Sequence, residues 1–484
     1  MTRMKPHPRL RRPAALALAL AAAGALAVGA ARTQTAGAPL QAQANAIVPN
    51  KSEWSVFAWS LERGQALFAI NAEQALVPAS NNKVFSAIWA LDALGPEYRF
   101  PTDLLVTGPI QGNTVRGDVV IRGSGDPAFG YPEYDKPPLT SPRKMAQALR
   151  SRGVTVIEGG IIADPYIHDR QNFGPAWPMD TGNGASAYAP TVSGLPYQRN
   201  MLWVEMRPAE RGTGYVLDPQ VPEIPVKNNV RMGGGRAYAV RKPDEDTIRI
   251  RGAVSGRGPF RFGVGAAEPA IMTAGALRQA LREAGIEVRR GITIARTPRG
   301  AVVVHRHFSI PLVDMVPQLT RHSDNFFAEH LWKAAVAKET GQGTYVGGGA
   351  ASASFFHARA GVPYGQIWQA DGSGLSSQNR TSALALVRAL VYAHGRPWSR
   401  QFHESLALAG SRDGTLARMF NGGPANGNLH AKTGYINDVR TLSGYVKTAS
   451  GENVVFSFLY NGRNTGGARG VQQNLGNLLA TYSR

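Results

Sequence analysis

The chain of 484 residues carries 53 Lys and Arg against 33 Asp and Glu, a formal net charge of +20, with 43% hydrophobic residues and no cysteine. That length implies two or three domains with an ample core, and the missing cysteines exclude a disulfide framework or a thiolate-metal site. The basic residues are scattered instead of clustered with aromatics, which argues against nucleic acid and for anionic wall polymers or membrane surfaces.

Arg3, Lys5, Arg9, Arg11 and Arg12 precede an apolar, alanine-rich stretch from about 13 to 31. This pattern predicts an export signal over residues 1–31, cleaved near Ala31, with an uncleaved anchor as the alternative. Pro13 follows Arg11-Arg12 directly, which favours a general secretory signal over a twin-arginine one. A polar Gln/Ala/Thr tether is expected over 32–45. Beyond the signal the chain keeps a net +15 and no internal run long enough to span a membrane, so the mature chain is expected without a transmembrane domain, exported to the periplasm or cell envelope.

From Glu53, "EWSVFAWSLERGQALFAIN" alternates as a hairpin around Glu62-Arg63-Gly64. The next stretch, "PASNNKVFSAIWALDALGP", predicts a helix over about 80–94 from the spacing of Val84, Phe85, Ile88, Trp89 and Leu91 before Gly95-Pro96. Ser80 stands at its mouth. Its hydroxyl is either an ordinary helix cap or, with Lys83 three positions on along the same face, a nucleophile beside its base.

Between about 103 and 265, short apolar runs such as "GDVVIRG", "EGGIIAD" and "DTIRIRGAVS" alternate with Gly/Pro-rich turns, predicting a mostly β insertion. One helix is expected inside it, from Ser141 to Gly153. Residues 268–285, 310–340, 348–361 and 381–395 then read as helices. "NLHAKTGYI", "RTLSGYVKT" and "NVVFSFLYN" read as three strands with tight connections, and "GVQQNLGNLLATYS" as a closing amphipathic helix. A helical block beside an antiparallel sheet built from both chain ends is the expected architecture.

"HAKTGYI" puts a cation, a hydroxyl and a position without a side chain, Lys432-Thr433-Gly434, on one strand, where a ligand can approach the backbone. "RHSDNFFAEHLW" places Ser323-Asp324-Asn325 in a predicted helix, where such polar residues are either solvated or line a site. His305-x-His307 could pair on one face of a strand but has no third ligand spaced near it, so no metal is expected. No Walker loop or Rossmann fingerprint occurs, and no cofactor is expected.

Ser80/Lys83, Ser323/Asn325 and Lys432-Thr433-Gly434, in this order, resemble the three motifs of penicillin-binding proteins and serine β-lactamases. The separation of 240 positions from Lys83 to Ser323 makes the chain similar to the class C low-molecular-mass penicillin-binding proteins, the D-alanyl-D-alanine carboxypeptidase/endopeptidase family S13. "GSGDPAF", "DGSGLSSQNR", "AGSRDGTLARMF" and "TLSGYV" match the same family.

The resemblance implies an α/β fold: a transpeptidase-type catalytic domain over 46–103 and 266–484, an inserted β-rich domain over 104–127 and 187–265, and a small nested domain over 128–186. It implies that Ser80 forms an acyl-enzyme with peptidoglycan stem peptides and β-lactams. Lys83 would act as base, its pKa lowered by burial and by Lys432, and Ser323 as proton relay. Asn325 would hold Lys83 and the substrate amide, Lys432 and Thr433 would bind the terminal carboxylate, and the amides of Ser80 and Tyr435 would form the oxyanion hole. Tyr435 departs from the small hydroxylated residue common there, and Ser377-Gln378 stand where the family often has arginine. Asp180 matches a position implicated in holding the stem's free amino group; a solvated loop aspartate is the alternative. Two other functions fit the same residues: a β-lactamase with fast deacylation, or a catalytically retired wall-binding protein.

Overall fold

This computed structural model describes residues 38–177, 188–208, 213–242, 245–255 and 260–483. The expected export signal lies outside them. Among the described residues, no helix is long and apolar enough to cross a membrane.

Both chain ends build one six-stranded antiparallel sheet in the order Gln65–Ile70, Trp54–Ser60, Asn453–Asn461, Val439–Lys447, His430–Ile436, Ala407–Leu408. Alternation along its strands supplies two cores, because successive side chains leave a strand on opposite faces. In Asn453–Asn461, Val454, Phe456, Phe458 and Tyr460 pack with Leu40, Ala44, Leu475 and Leu479 of helices α1 (Ala38–Ile47) and α10 (Thr465–Thr481). Val455 and Leu459 point the other way, into the core that holds helix α2 (Asn82–Leu94).

Every residue of α2 from Asn82 to Leu91 is buried, as for a helix surrounded on all sides. Helices α5 (Leu312–Thr320), α6 (Asn325–Thr340), α7 (Tyr345–Ala360), α8 (Ala383–His394) and α9 (Ser399–Ser405) contribute to the same core. The expected helical block beside an antiparallel sheet is present. The single helix expected over 310–340 is instead two, because the chain turns at 321–324, where Ser323 takes a left-handed φ of 61° and Asp324 caps α6 by accepting from Phe326 N (2.8 Å) and Phe327 N (3.2 Å).

The tether expected over 32–45 is helical from Ala38, with Leu40 and Ala44 buried against the sheet. Gln41, which reads as tether-like polarity, accepts from Ala69 N (2.9 Å) and donates to Ala69 O (3.2 Å) on the edge strand.

The insertion is organised by sheets that cross the expected domain limits. One runs Ile292–Ile294, Ile161–Asp164, Val119–Arg122, Pro101–Val106, Val302–Phe308, and another Glu287–Val288, Val156–Ile157, Thr114–Val115, Ile110–Gln111. Strands at 156–164, expected in a nested domain over 128–186, therefore pair in parallel with strands expected in the two other domains. Helices α3 (Thr140–Arg150) and α4 (Pro269–Glu283) cover this layer in one shared core. Smaller sheets built from Met201–Pro208, Thr213–Asp218 and Phe260–Gly265, from Val226–Asn228, Tyr238–Val240 and Ile248–Arg251, and from Arg231–Met232 and Ala253–Val254 lie in the rest of the insertion.

Candidate active site

The 3₁₀ turn Ala79–Asn81 feeds α2 and presents Ser80 at the rim of a cleft of about 410 Å³. Ser80 is no cap: neither the turn nor the helix is capped by a side chain. Ala79 is held at a φ of 46°, a conformation few residues other than glycine adopt and one that concentrates at functional sites. Side-chain hydrogen bonds fasten the turn to the strand His430–Ile436 and its neighbour. Thr441 Oγ1 donates to the Pro78 carbonyl (2.8 Å), and the Asn81 amide, in the orientation its neighbours require, donates to the Lys432 carbonyl (2.7 Å).

One turn into α2, Lys83 is fully buried and its ammonium donates to Ser80 Oγ (2.9 Å), Asn325 Oδ1 (2.6 Å) and the Ser373 carbonyl (2.5 Å). Burial lowers its pKa to about 8, opposed by Asp371, Glu329 and Asp324. Across the cleft, Lys432 Nζ donates to Ser323 Oγ (2.8 Å) and to the Thr433 carbonyl (2.6 Å). Its pKa is held well below the ordinary lysine value by burial and then by Lys83. Of the two expected causes for Lys83, burial acts as expected, whereas Lys432 is not among the groups that shift it.

The structure thus brings together Ser80, Lys83, Ser323, Asn325 and Lys432 from three separate stretches of the chain. Thr433 and Tyr435 line the same cleft, on the stretch of strand beyond Ala431, where pairing with Ala407–Leu408 has ended. Tyr435 is 53% exposed and its ring lies 3.9 Å from the Arg440 guanidinium, its register partner. Gly434 lets the strand approach the turn: a Cβ there would lie 2.1 Å from Thr441 Oγ1 and 3.0 Å from both Pro78 O and Ser80 N. Asp180 lies outside the described residues.

Several contributors carry no motif. The Tyr188 carbonyl accepts from Asn325 Nδ2 (2.7 Å) and the Ser373 carbonyl accepts from Lys83; backbone oxygens leave no trace in residue type. Arg199 lines the cleft and pairs with Asp324 (2.6 Å). Asp371, read from sequence as turn chemistry, builds its turn while fully buried. It accepts from Gly374 N (2.7 Å), Ser376 N (2.7 Å), Asn379 Nδ2 (2.8 Å) and Trp177 Nε1 (2.8 Å). Polar positions inside the apolar run "NFFAEHLW", Glu329 and His330, were legible signals for further buried groups; burial raises the pKa of Glu329 to about 7.

Among the described residues no group of three or more His, Asp or Glu is arranged to hold a metal ion. The site sets the hydroxyls of Ser80 and Ser323 against two buried amines beside a cleft, equipment for acyl transfer.

Comparison with known proteins places the chain in a family. A D-alanyl-D-alanine carboxypeptidase of Actinomadura sp. (strain R39) is 28% identical over 439 residues, covering 87% of this chain and 80% of that protein. The D-alanyl-D-alanine carboxypeptidase DacB of Haemophilus influenzae is 25% identical over 432 residues, covering 87% of each. In fold, the chain is similar to the crystal structure of penicillin binding protein 4 (dacB) from Haemophilus influenzae, with a TM-score of 0.77 and 24% identity over 91% of this chain and 99% of that one. The model of the D-Ala-D-Ala carboxypeptidase 3 (S13) family matches residues 40–482, and the chain belongs to that family of serine-type D-Ala-D-Ala carboxypeptidases.

Proposed function

We propose that the chain is an envelope DD-peptidase that cleaves D-Ala-D-Ala termini, and D-Ala-diamino-acid cross-links, of peptidoglycan through an acyl-enzyme on Ser80, and that β-lactams acylate the same hydroxyl. The observation that carries this reading is the 2.9 Å contact between Ser80 Oγ and a buried Lys83 whose pKa is lowered to about 8. An amine with that value is neutral in an appreciable fraction of molecules near neutral pH, and general-base efficiency is greatest when the pKa lies near the working pH.

Lys83 takes the Ser80 proton as the oxygen attacks the carbonyl carbon. The amides of Ser80 and Tyr435 receive the oxyanion, an arrangement that depends on the close approach permitted by Gly434. Ser323, held by Lys432, returns a proton to the leaving amine, and Lys432 with Thr433 takes the terminal carboxylate. Asn325 spans from Lys83 to the Tyr188 carbonyl and fixes the base. Water then releases the acyl group. The N-terminal pattern supports export, and a relative's structure supports the drug reaction: the Haemophilus influenzae protein has also been solved complexed with a β-lactam.

The test is mass spectrometry of the protein after exposure to a penicillin, followed by digestion of purified muropeptides. A long-lived adduct on the peptide containing Ser80, absent in Ser80→Ala, with release of D-alanine or of cross-linked stems, supports the proposal. An adduct on another hydroxyl overturns it. Rapid turnover of a chromogenic penicillin without stem cleavage would establish a β-lactamase instead. Wall-polymer binding with neither labelling nor cleavage would establish the retired form.

A further inference from the structure

Glu329 has no part in the chemistry above, yet it is fully buried one turn along α6 from Asn325. Its two carboxylate oxygens accept from successive backbone amides, Ser373 N at 2.7 Å and Gly372 N at 3.1 Å. The carbonyl of the same Ser373 accepts from Lys83 Nζ at 2.5 Å, while Asn325 Oδ1 accepts from that ammonium at 2.6 Å. A single helix face therefore grips Lys83 twice, directly through Asn325 and through the 372–373 backbone held by Glu329. A second bond fixes that backbone: the Gly372 carbonyl accepts from Ser86 Oγ (2.6 Å), on α2 itself.

Resting on the assignment of Lys83 as the base, we propose that Glu329 is a positioning residue for Lys83, acting through the Gly372–Ser373 peptide. A buried carboxylate is costly unless its lone pairs are satisfied, and here two main-chain donors at one end of a glycine-containing turn, with the Ser373 side chain, offset part of that cost. The turn cannot swing the Ser373 carbonyl away from Lys83 without breaking those bonds. Removing the carboxylate frees the carbonyl and leaves the amine held by Asn325 and Ser80 alone.

Glu329 also faces Lys83 electrostatically. The groups around this pair are Asp371 from the 371–379 turn, Tyr345 from α7, Lys333 and Asp324 at or on α6, and Lys432 from the strand His430–Ile436. The negative charges of Asp371, Glu329 and Asp324 favour the ammonium form of Lys83. Neutralising Glu329 consequently moves the ionisation of Lys83 to lower pH, an effect opposite in sign to the loss of positioning and separable from it.

The experiment measures the second-order rate of Ser80 acylation by a penicillin as a function of pH for the wild type and Glu329→Gln, with kcat and KM on a D-Ala-D-Ala peptide. The expected result is a plateau rate and kcat lower by on the order of ten- to hundredfold, KM within about twofold, and the acid limb displaced to lower pH. An unchanged plateau and limb overturn the proposal. A reduced plateau with an unmoved limb also overturns it, leaving Glu329 a fold-stabilising group only. Should Glu329→Gln not fold, Glu329→Asp gives the alternative reading: its shorter carboxylate keeps the charge but cannot span both amides, so the plateau falls while the limb stays, and an unimpaired plateau overturns the inference. If the wild type is not acylated at Ser80 at all, the functional assignment has failed, and that outcome is recognised before any variant is compared.

Discussion

Gly434 lies so close to the Ala79–Asn81 turn that a Cβ on it would sit 3.0 Å from the Ser80 amide nitrogen. The same Cβ would press to 2.1 Å on Thr441 Oγ1, which is bonded to the Pro78 carbonyl two residues before Ser80. Gly434→Ala is expected to push the strand from the turn, costing about 1–3 kcal/mol of stability by overpacking. The loss in acylation rate should be larger, on the order of a hundredfold, because displacement by about an ångström is felt most at the reacting atoms. Thr441→Ala added to Gly434→Ala removes the tightest clash and should restore part of the rate; penicillin-labelling kinetics on the single and double variants read this directly.

Asp324 joins three features of the cleft: it caps α6, follows the left-handed Ser323 and pairs with Arg199. Asp324→Ala is expected to cost about 1–2 kcal/mol through the cap. It should also loosen Ser323 relative to Lys432 and slow leaving-group departure. The checks are a thermal melt and kcat on a D-Ala-D-Ala peptide, with Asp324→Asn, which retains a capping oxygen, closer to wild type in both.

How much of this was legible in the sequence depends on whether the signal was a side chain or a backbone. Ser80, Lys83, Ser323, Asn325 and Lys432 are motif side chains, and all five meet at the cleft. The carbonyls of Tyr188 and Ser373 complete the cage around Asn325 and Lys83 without any residue-type requirement. Helical periodicity located the elements of the helical block but ran through the break at 321–324, since Ser323-Asp324 adjoin an apolar pattern that continues in Phe326 and Phe327. The inserted sheets were not legible: pairing in parallel of Val119–Arg122, Ile161–Asp164 and Ile292–Ile294 is a long-range relation with no local marker.

The N-terminal helix offers a stability test. Leu40 is 3% exposed and packs in the core shared with α10. Polar neighbours such as Gln41, Gln43 and Asn45 made this stretch resemble a tether. Leu40→Ala is expected to destabilise the protein by about 2–5 kcal/mol, as for other large-to-small core changes, with no effect on acylation once the protein is folded. A change within ~0.5 kcal/mol in a urea titration would mean that α1 does not dock in solution.

Trp177 Nε1 donates to the buried carboxylate of Asp371 (2.8 Å), which organises the turn carrying Ser373. Trp177→Phe keeps an aromatic ring but removes that donor and part of a buried ring system; Ser376 N still serves the same oxygen. The expected cost is about 1–3 kcal/mol for a partly unsatisfied buried acceptor, seen as a lower denaturation midpoint at unchanged m. Asp371→Asn should be worse, because an amide nitrogen would then face backbone N–H groups of Gly374 or Ser376.

The buried Lys83 should leave a mark on stability as a function of pH. Lys83 titrates near 10.5 when unfolded and near 8 in the folded protein. Below about 8 both states carry the ammonium, so the folded state bears the full cost of burying it. Between about 8 and 10.5 the unfolded chain binds more protons than the folded one, and stability therefore rises with pH through that window. The rise attributable to Lys83 is about 3 kcal/mol, from the separation of the two values at about 1.4 kcal/mol per pH unit. Lys432, also lowered by burial and by Lys83, adds a contribution of the same sign. In Lys83→Met the first contribution disappears and the second shrinks, since the neighbouring ammonium that depresses Lys432 is gone. Urea unfolding of both proteins from pH 7 to 10.5 should thus show the wild type gaining on the variant as the pH climbs. A difference that stays flat across the window would mean that Lys83 keeps an ordinary proton affinity in the fold, and it could not then serve as the neutral base at Ser80.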